Sequence, residues 1–312
     1  MNAQNWGKWE TAEYVPDEEL EIRLKKLSRK IVLLNIVIGA LFITADAGFI
    51  FATVNIRFSA GLLIALPALA ACLVAVLFRI LSKIEIKNLM GDNIIRRILE
   101  EEFELSQYAP AGAVDTGQIK AADLFFDWDA EDGSDLVQGK YRGVDFAFSD
   151  IRLSPKTKKN RGRKSSKTIF RGQWVVCELR KTLPARLILR ERRTDGKGMK
   201  SDVETENTAF NRKYQISSDD PHMAFYILTP HFMEYILNMD EQADARTYLS
   251  FIGSAVHIAL HNDRDLFELN TKKGFGGVSV TKLREQVRAD VKYIKGVLDE
   301  LLLNEYLFNK EE

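Results

Sequence analysis

Cysteine is nearly missing, with two in 312 residues, which excludes a disulfide framework and any Cys-based zinc module. Net charge is missing as well. The 44 Lys and Arg balance 44 Asp and Glu, so the chain as a whole has no electrostatic case for nucleic acid. Catalytic signatures are equally scarce. There is no G-x-S-x-G, Gly274-Phe275-Gly276-Gly277 lacks the Lys-Ser/Thr end of a P-loop, and GKGMKS at 196–201 has the wrong spacing. His257 and His261 stand four apart, a metal-ligand spacing on a helix, yet the surrounding pattern is that of a strand and no Glu follows His257. His222 and His231 lie near two helix starts, where Asp219 and Asp220 read as caps. Cys177 falls in an apolar strand and Cys72 in an apolar span, both surroundings of inert thiols. The sequence thus assigns no catalytic residue, no cofactor-binding residue, no metal ligand and no cofactor.

What is present is apolar sequence gathered in one place. Residues 31–53 and 58–78 each match the ~20 residues needed to cross a ~30 Å hydrocarbon core. The second stretch is uncharged. The first contains Asn35 and Asp46, but its 13 Leu, Ile, Val and Phe residues, at roughly −0.3 to −0.6 kcal/mol each, outweigh about +3 kcal/mol for a central Asp. It is also too long for the core of a signal peptide. The connection Val54-Asn55-Ile56-Arg57 is short, which predicts an antiparallel transmembrane hairpin over residues 31–81. Arg23, Lys25, Lys26, Arg29 and Lys30 precede it and Arg79, Lys83 and Lys87 follow, against Arg57 alone in the connection. That bias places both termini on the cytoplasmic side. Asn35, Gly39, Asp46 and Thr53 fall on one stripe of the first span, a membrane polar stripe expected to meet the hairpin partner or a second copy. The second span offers Gly61/Ala65 and Ala71/Ala75 as close-packing positions and Pro67 as a kink site.

Helical periodicity continues on both sides. Within residues 1–30 a cytosolic amphipathic lead-in helix starts at Pro16-Asp17, with Leu20, Leu24, Leu27 and Ile31 at spacings of four, three and four, and runs unbroken into the first span. Residues 82–106 form a juxtamembrane helix through Ile84, Ile94, Ile95 and Leu99, ending acidic. Residues 271–312 hold a long C-terminal helix, predicted over 281–308 with Thr281 as N-cap and Val287, Val291, Ile294, Leu298 and Leu301 on one face.

Residues 107–270 read as a cytosolic domain. Strand patterns occur from Val144 onward in the block 139–148, over 168–180 and over 185–192. Two more, at 248–251 and 255–260, meet at Gly253-Ser254. Asp220-Pro221 and Thr229-Pro230 each set a capping residue before a proline, predicting helices near 221–227 and 230–239. The fold class is therefore α+β: a two-helix transmembrane hairpin, then an antiparallel sheet domain with helices packed on one face, then a long C-terminal helix. Charge is segregated in this domain. Between Glu100 and Asp135 there are eleven acids and one base, whereas Lys156, Lys158, Lys159, Arg161, Arg163, Lys164, Lys167 and Arg171 form a run without an acid. The run reads as a loop that can contact anionic lipid. No aromatic residue interleaves it, so it offers nucleic acid no stacking platform.

Several blocks together resemble a known family. They are Ala121-Ala122-Asp123-Leu124-Phe125, Gly139-x-Tyr141-x-Gly143-Val144-x-Phe146, Phe170-x-Gly172, and Tyr214-x-Ile216-Ser217-Ser218-Asp219. Ala224-x-Tyr226-Ile227-Leu228-Thr229-Pro230-x-Phe232-Met233 and Phe267-Glu268 complete the set. Over roughly residues 80–270 this order is similar to bacterial membrane proteins of the domain of unknown function 3137 (DUF3137) family. The resemblance implies a bacterial, membrane-bound protein and carries no catalytic residue; with the charge bias above, the expected location is the inner membrane, both termini cytoplasmic. The favoured functional reading is a membrane-anchored, non-catalytic binding or scaffold domain. Its partners would be the membrane and either another protein or a second copy, held through the transmembrane or C-terminal helices. The alternative is a membrane-tethered enzyme acting on a lipid or envelope precursor, with Asp219, Asp220 or His222 at work.

Overall fold

The computed structural model describes residues 15–54, 58–155, 168–192, 201–268 and 279–308. The chain divides into two units: residues 1–97 with 269–285, and residues 98–268 with 286–312. The connection at 55–57 and the basic residues from 156 to 167 lie outside the described residues.

In the first unit, α1 (Asp17–Val54) is one unbroken helix that opens on Asp17, Glu18 and Glu19, acids that suit the positive end of a helix dipole. Leu20, Leu24, Leu27 and Ile31 are buried, as their spacing requires. α2 (Phe58–Met90) runs through Pro67 and packs on α1. The close-packing positions are Gly61, Ala65, Ala68 and Ala75, all buried, whereas the expected Ala71 is exposed. A Cβ on Gly48 of α1 would stand 3.1 Å from the Ala65 amide nitrogen and 3.2 Å from the Gly61 carbonyl oxygen. The helices therefore touch backbone to backbone there. Both are long and apolar enough to cross a membrane, and only 17% and 28% of their most apolar windows are buried. The buried core helix of a soluble protein would show the reverse.

The juxtamembrane helix runs on from α2 without a gap to Glu102 but is not α-helical throughout. A single π turn, Gly91–Ile95, separates α2 from α3 (Arg96–Glu102). Within it Asn93 donates to the Leu89 carbonyl and accepts from the Val15 amide at 3.1 Å. Thr281 is not the cap of the C-terminal helix either. That helix, α8 (Val280–Leu301), starts one residue earlier, and the Val280 amide donates to Glu21 of α1 at 3.3 Å. Arg284 also grips Asp17 with two hydrogen bonds of 2.9 and 2.7 Å. An acceptor from a distant helix has replaced the local one, which periodicity cannot reveal.

Among the described residues the second unit has eight antiparallel strands: β1 (Glu104–Ala109), β2 (Trp128–Tyr141), β3 (Val144–Pro155), β4 (Phe170–Glu178), β5 (Leu187–Glu191), β6 (Tyr214–Ser218), β7 (Arg246–Ile252) and β8 (Ala255–His261). Their order is β1-β2-β3-β4-β8-β7-β5-β6. With α4 (Thr116–Ala121), α5 (Thr208–Lys213), α6 (Pro221–Ile227), α7 (Pro230–Ala243), α9 (Glu305–Phe308) and the later turns of α8, the class is the expected α+β. α6 and α7 start where the Asp-Pro and Thr-Pro pairs predict, with Asp220 accepting from the His222 amide and Thr229 from the Phe232 amide. β2 was not legible. Its sequence WDAEDGSDLVQGKY holds too few apolar residues to alternate, and it forms because β3 supplies the ladder and Arg142-Gly143 the turn. Both turn residues have positive φ, 49° and 76°, as tight hairpin loops require.

Helices cover both faces of the sheet rather than one. On one face Leu153, Phe170, Trp174, Ala259 and Ile188 pack with Val114, Ile119, Ala122 and Leu124 around α4. On the other, Phe251 meets Phe232 of α7 at 5.9 Å and Phe148 meets Phe267 at 6.5 Å. This explains why β4 and β8 are apolar without alternation. Gly172 stands where β8 leaves no room for a side chain on β4: at φ 150°, a Cβ there would lie 1.9 Å from the Leu260 carbonyl oxygen.

Candidate functional site

Two arrangements in the second unit concentrate chemistry. The first lies between the sheet and α8. Residues 262–267, which leave β8, are held by side chains from three elements. Asp150 of β3 accepts from the Leu266 amide at 2.7 Å and from Gln173 of β4 at 2.9 Å. Gln173 also donates to the Arg264 carbonyl and accepts from Asn262, whose amide reaches the Tyr293 hydroxyl of α8 at 3.0 Å. Asp290 of α8 accepts from the Phe267 amide at 3.1 Å. Burial pushes the Asp150 carboxyl up to about 8, with the neighbouring Asp135 adding to the shift. Burial likewise moves the Tyr293 phenol up to about 12 and raises Asp290. Every polar group in this cluster is spent on holding the chain, and no described cavity opens onto it. It is a structural clasp.

The second arrangement is open to solvent. Tyr226 of α6 and Tyr306 of α9 share a hydroxyl-to-hydroxyl hydrogen bond, with ring centroids 5.4 Å apart. That bond is also the main cause of a raised Tyr226 phenol pKa. A cavity of about 160 Å³ lies on one side, lined by Leu179, Lys181, Leu183, Pro184, Met223 and Leu307 among others. One of about 290 Å³, with Thr229, His231, Phe232, Tyr235 and Leu303 in its wall, lies on the other. The Lys181 ammonium sits 5.5 Å from the Tyr306 ring centre, a cation–π distance. Tyr226, Leu303 and Tyr306 are 41%, 46% and 51% exposed, large apolar groups around one cavity that a surface does not ordinarily leave bare. The chain folds this way locally because Pro221 and Pro230 start consecutive helices and force a corner, and the Arg180 amide binds the Leu307 carbonyl at 2.8 Å to bring α9 beside it.

The residues singled out from the sequence scatter. Asp220 is the cap of α6, and Asp219 reaches Arg186 at 3.5 Å. His222 is exposed, and so is His231, which lies 3.9 Å from Glu234. His257 is buried in β8, where its Nδ1 accepts from the Trp174 indole at 3.2 Å, and burial pushes its pKa down to about 4. No group of three or more His, Cys, Asp or Glu that could hold a metal ion occurs among the described residues. Of the basic run, Arg171 alone is described, and Asp265 holds it in an ion pair at 2.5 Å. Asn35, Gly39 and Asp46 are exposed on α1, off the buried stripe through Ala45 and Gly48. Sequence reading missed Asp150 and the tyrosine pair. The first had a faint signal, an Asp inside the apolar strand FAFSDIRL. The pair had none, because 80 residues separate its members.

Residues 168–303 match the family model described as protein of unknown function, DUF3137. Over this stretch the chain is similar to the DUF3137 family. The matched part takes in β4 to β8, the tyrosine-bearing α6 and all of α8, and stops short of α9. The stretch differs from the one read from the sequence: blocks 121–125 and 139–146 fall outside it and the C-terminal helix falls inside. A search of curated proteins returns no match. Among solved structures, the crystal structure of the mycobacterial trehalose monomycolate transport factor A, TtfA, matches at 12% identity over 66% of this chain and 94% of that chain, with a TM-score of 0.29. A likeness that loose carries no argument about fold or transport.

Proposed function

We propose that this protein is a membrane-anchored binding module: α1 and α2 cross the bacterial inner membrane as a hairpin, both termini are cytoplasmic, and the sheet unit engages a protein partner without catalysis. The observation that carries the binding reading is the bare aromatic surface around Tyr226 and Tyr306, flanked by two cavities. Solvent-exposed tyrosine and phenylalanine with a cation at the margin is the composition of interface hot spots. The buried carboxyl of Asp150, by contrast, is sealed from any substrate by its own hydrogen bonds. The basic run 156–171 would lie against anionic head groups, each base adding about 1 kcal/mol near such a surface.

The test is site-specific photocrosslinking in intact cells. A benzophenone side chain at Phe225, 51% exposed and next to Tyr226 in the sequence, should yield a discrete adduct that disappears in the Tyr226→Ala/Tyr306→Ala variant. Absence of any adduct from Phe225 and from Leu303 would count against the binding surface.

A further inference from the structure

Where α1 and α2 leave their apolar stretches, three buried donors have nothing to donate to. Ser28 of α1 is 8% exposed and Ser82 of α2 is 1% exposed. Among the described residues, neither hydroxyl has a hydrogen-bond partner, and neither does the buried Nε of Arg79. No described acid pairs with Arg79. Two contacts bring these groups to one level. Gly48 packs on Gly61 and Ala65, and the Lys30 ammonium lies 5.8 Å from the Phe78 ring centre. Carried along an antiparallel pair one residue for one, those contacts set Ser28 opposite residues 80–85, where Ser82 alone is buried. Arg79 shares the α1-facing side of α2 with Ser82, three residues before it and four after the buried Ala75. Orphaned buried donors are costly, and three at one level call for an acceptor.

Depth and charge indicate which acceptor. The site rests on the membrane-spanning reading above, in which the apolar stretch 58–78 ends one residue before Arg79 and so leaves Arg79 at the level of the lipid phosphates. Arg79 is half-buried, so the site opens to the surface on its side, and Lys83 follows one turn later. Residues 23–30 and 79–87 together hold eight bases against one acid, Glu85, which is exposed. A guanidinium beside two hydroxyls matches the several oxygens of a phosphodiester. The surplus of bases repels a head group that brings its own ammonium, which leaves the anionic lipids. We propose that the cytoplasmic mouth of the α1–α2 pair holds the phosphodiester of an anionic phospholipid, bound by Ser28, Arg79 and Ser82.

Native mass spectrometry of the full-length protein in detergent, titrated with dioleoyl phosphatidylglycerol, tests this. The first lipid adduct should saturate. Arg79→Gln and the Ser28→Ala/Ser82→Ala pair should each raise the half-saturating lipid concentration by roughly tenfold, while Arg57→Gln, at the other end of the hairpin, leaves it in place. The alanine pair removes only orphaned hydroxyls, so without lipid its melting temperature should equal or exceed that of the wild type. A lower one would mean that the hydroxyls are partnered inside the hairpin, and overturns the site. So does a first adduct as tight in Arg79→Gln or in the alanine pair as in the wild type. Two further probes identify the source of the phosphate. Dioleoyl phosphatidylcholine binding as tightly as phosphatidylglycerol, or inorganic phosphate giving a saturable adduct where phosphatidylglycerol gives none, overturns the assignment to an anionic lipid. Flotation with phosphatidylcholine/phosphatidylglycerol vesicles separates this site from the reading it rests on. A chain that fails to float overturns the spanning reading together with the site, and one that floats without an Arg79-dependent adduct overturns the site alone.

Discussion

Asp150 and His257 sit on opposite faces of the sheet and titrate in opposite senses. The Asp150 carboxyl, raised to about 8 by burial, keeps in the folded chain a proton that an unfolded aspartate releases near ~3.9. Stability contributed at this site is therefore greatest at low pH and declines as pH climbs from about 4 to about 8. His257, lowered to about 4, stays neutral when folded while an unfolded histidine binds a proton near ~6.5. Its site loses stability as pH falls from about 6.5 to about 4. Urea unfolding of the full chain in detergent, repeated across pH, should show the alkaline decline flattened in Asp150→Asn and the acid decline flattened in His257→Asn. Each slope is at most ~1.4 kcal/mol per pH unit. Asn at 257 keeps an acceptor for the Trp174 indole. An unchanged pH profile in both variants would mean that neither group titrates as its burial demands.

At the scale of elements, α1 carries two glycines in opposite surroundings. Gly48 has the α2 backbone within 3.2 Å of where a Cβ would be, and Gly39 has open space. Gly48→Leu should drive the helices apart and destabilise the hairpin by about 1–3 kcal/mol, the usual cost of overpacking a fitted contact. Gly39→Leu should leave hairpin stability unchanged or slightly raised through better helix propensity. Thermal unfolding of both variants in one detergent compares them directly, and equal losses would contradict the packing described. Helix starts marked by Asp-Pro and Thr-Pro were legible because both the cap and the proline act within one turn. The start of α8 was not, since its acceptor is Glu21, 259 residues away. β2 escaped for a related reason: a polar strand is specified by its neighbour's ladder rather than by its own pattern.

For the whole molecule, the proposed topology puts the basic run on the cytoplasmic side next to lipid. In inside-out vesicles of the inner membrane, trypsin should cut within 156–167, and in right-side-out vesicles it should not. In proteoliposomes, phosphatidylglycerol should slow that cleavage relative to neutral lipid, and 0.5 M salt, roughly a 4 Å screening length, should restore it. Cleavage from the opposite side would reverse the topology, and cleavage indifferent to lipid charge would remove the lipid contact.

The amino-acid sequence by itself determined the long apolar helices, the α+β class, most strand positions and the family resemblance. These follow from periodicity, capping and composition, which act between residues a few positions apart. Only the tertiary structure decided which side of α1 receives α2, that both sheet faces are covered, that Asp150 clasps the 262–267 segment, and that Tyr226 and Tyr306 stand together. Each of those depends on chain segments far apart in sequence, and local energetics is blind to such pairs until the backbone has brought them into contact.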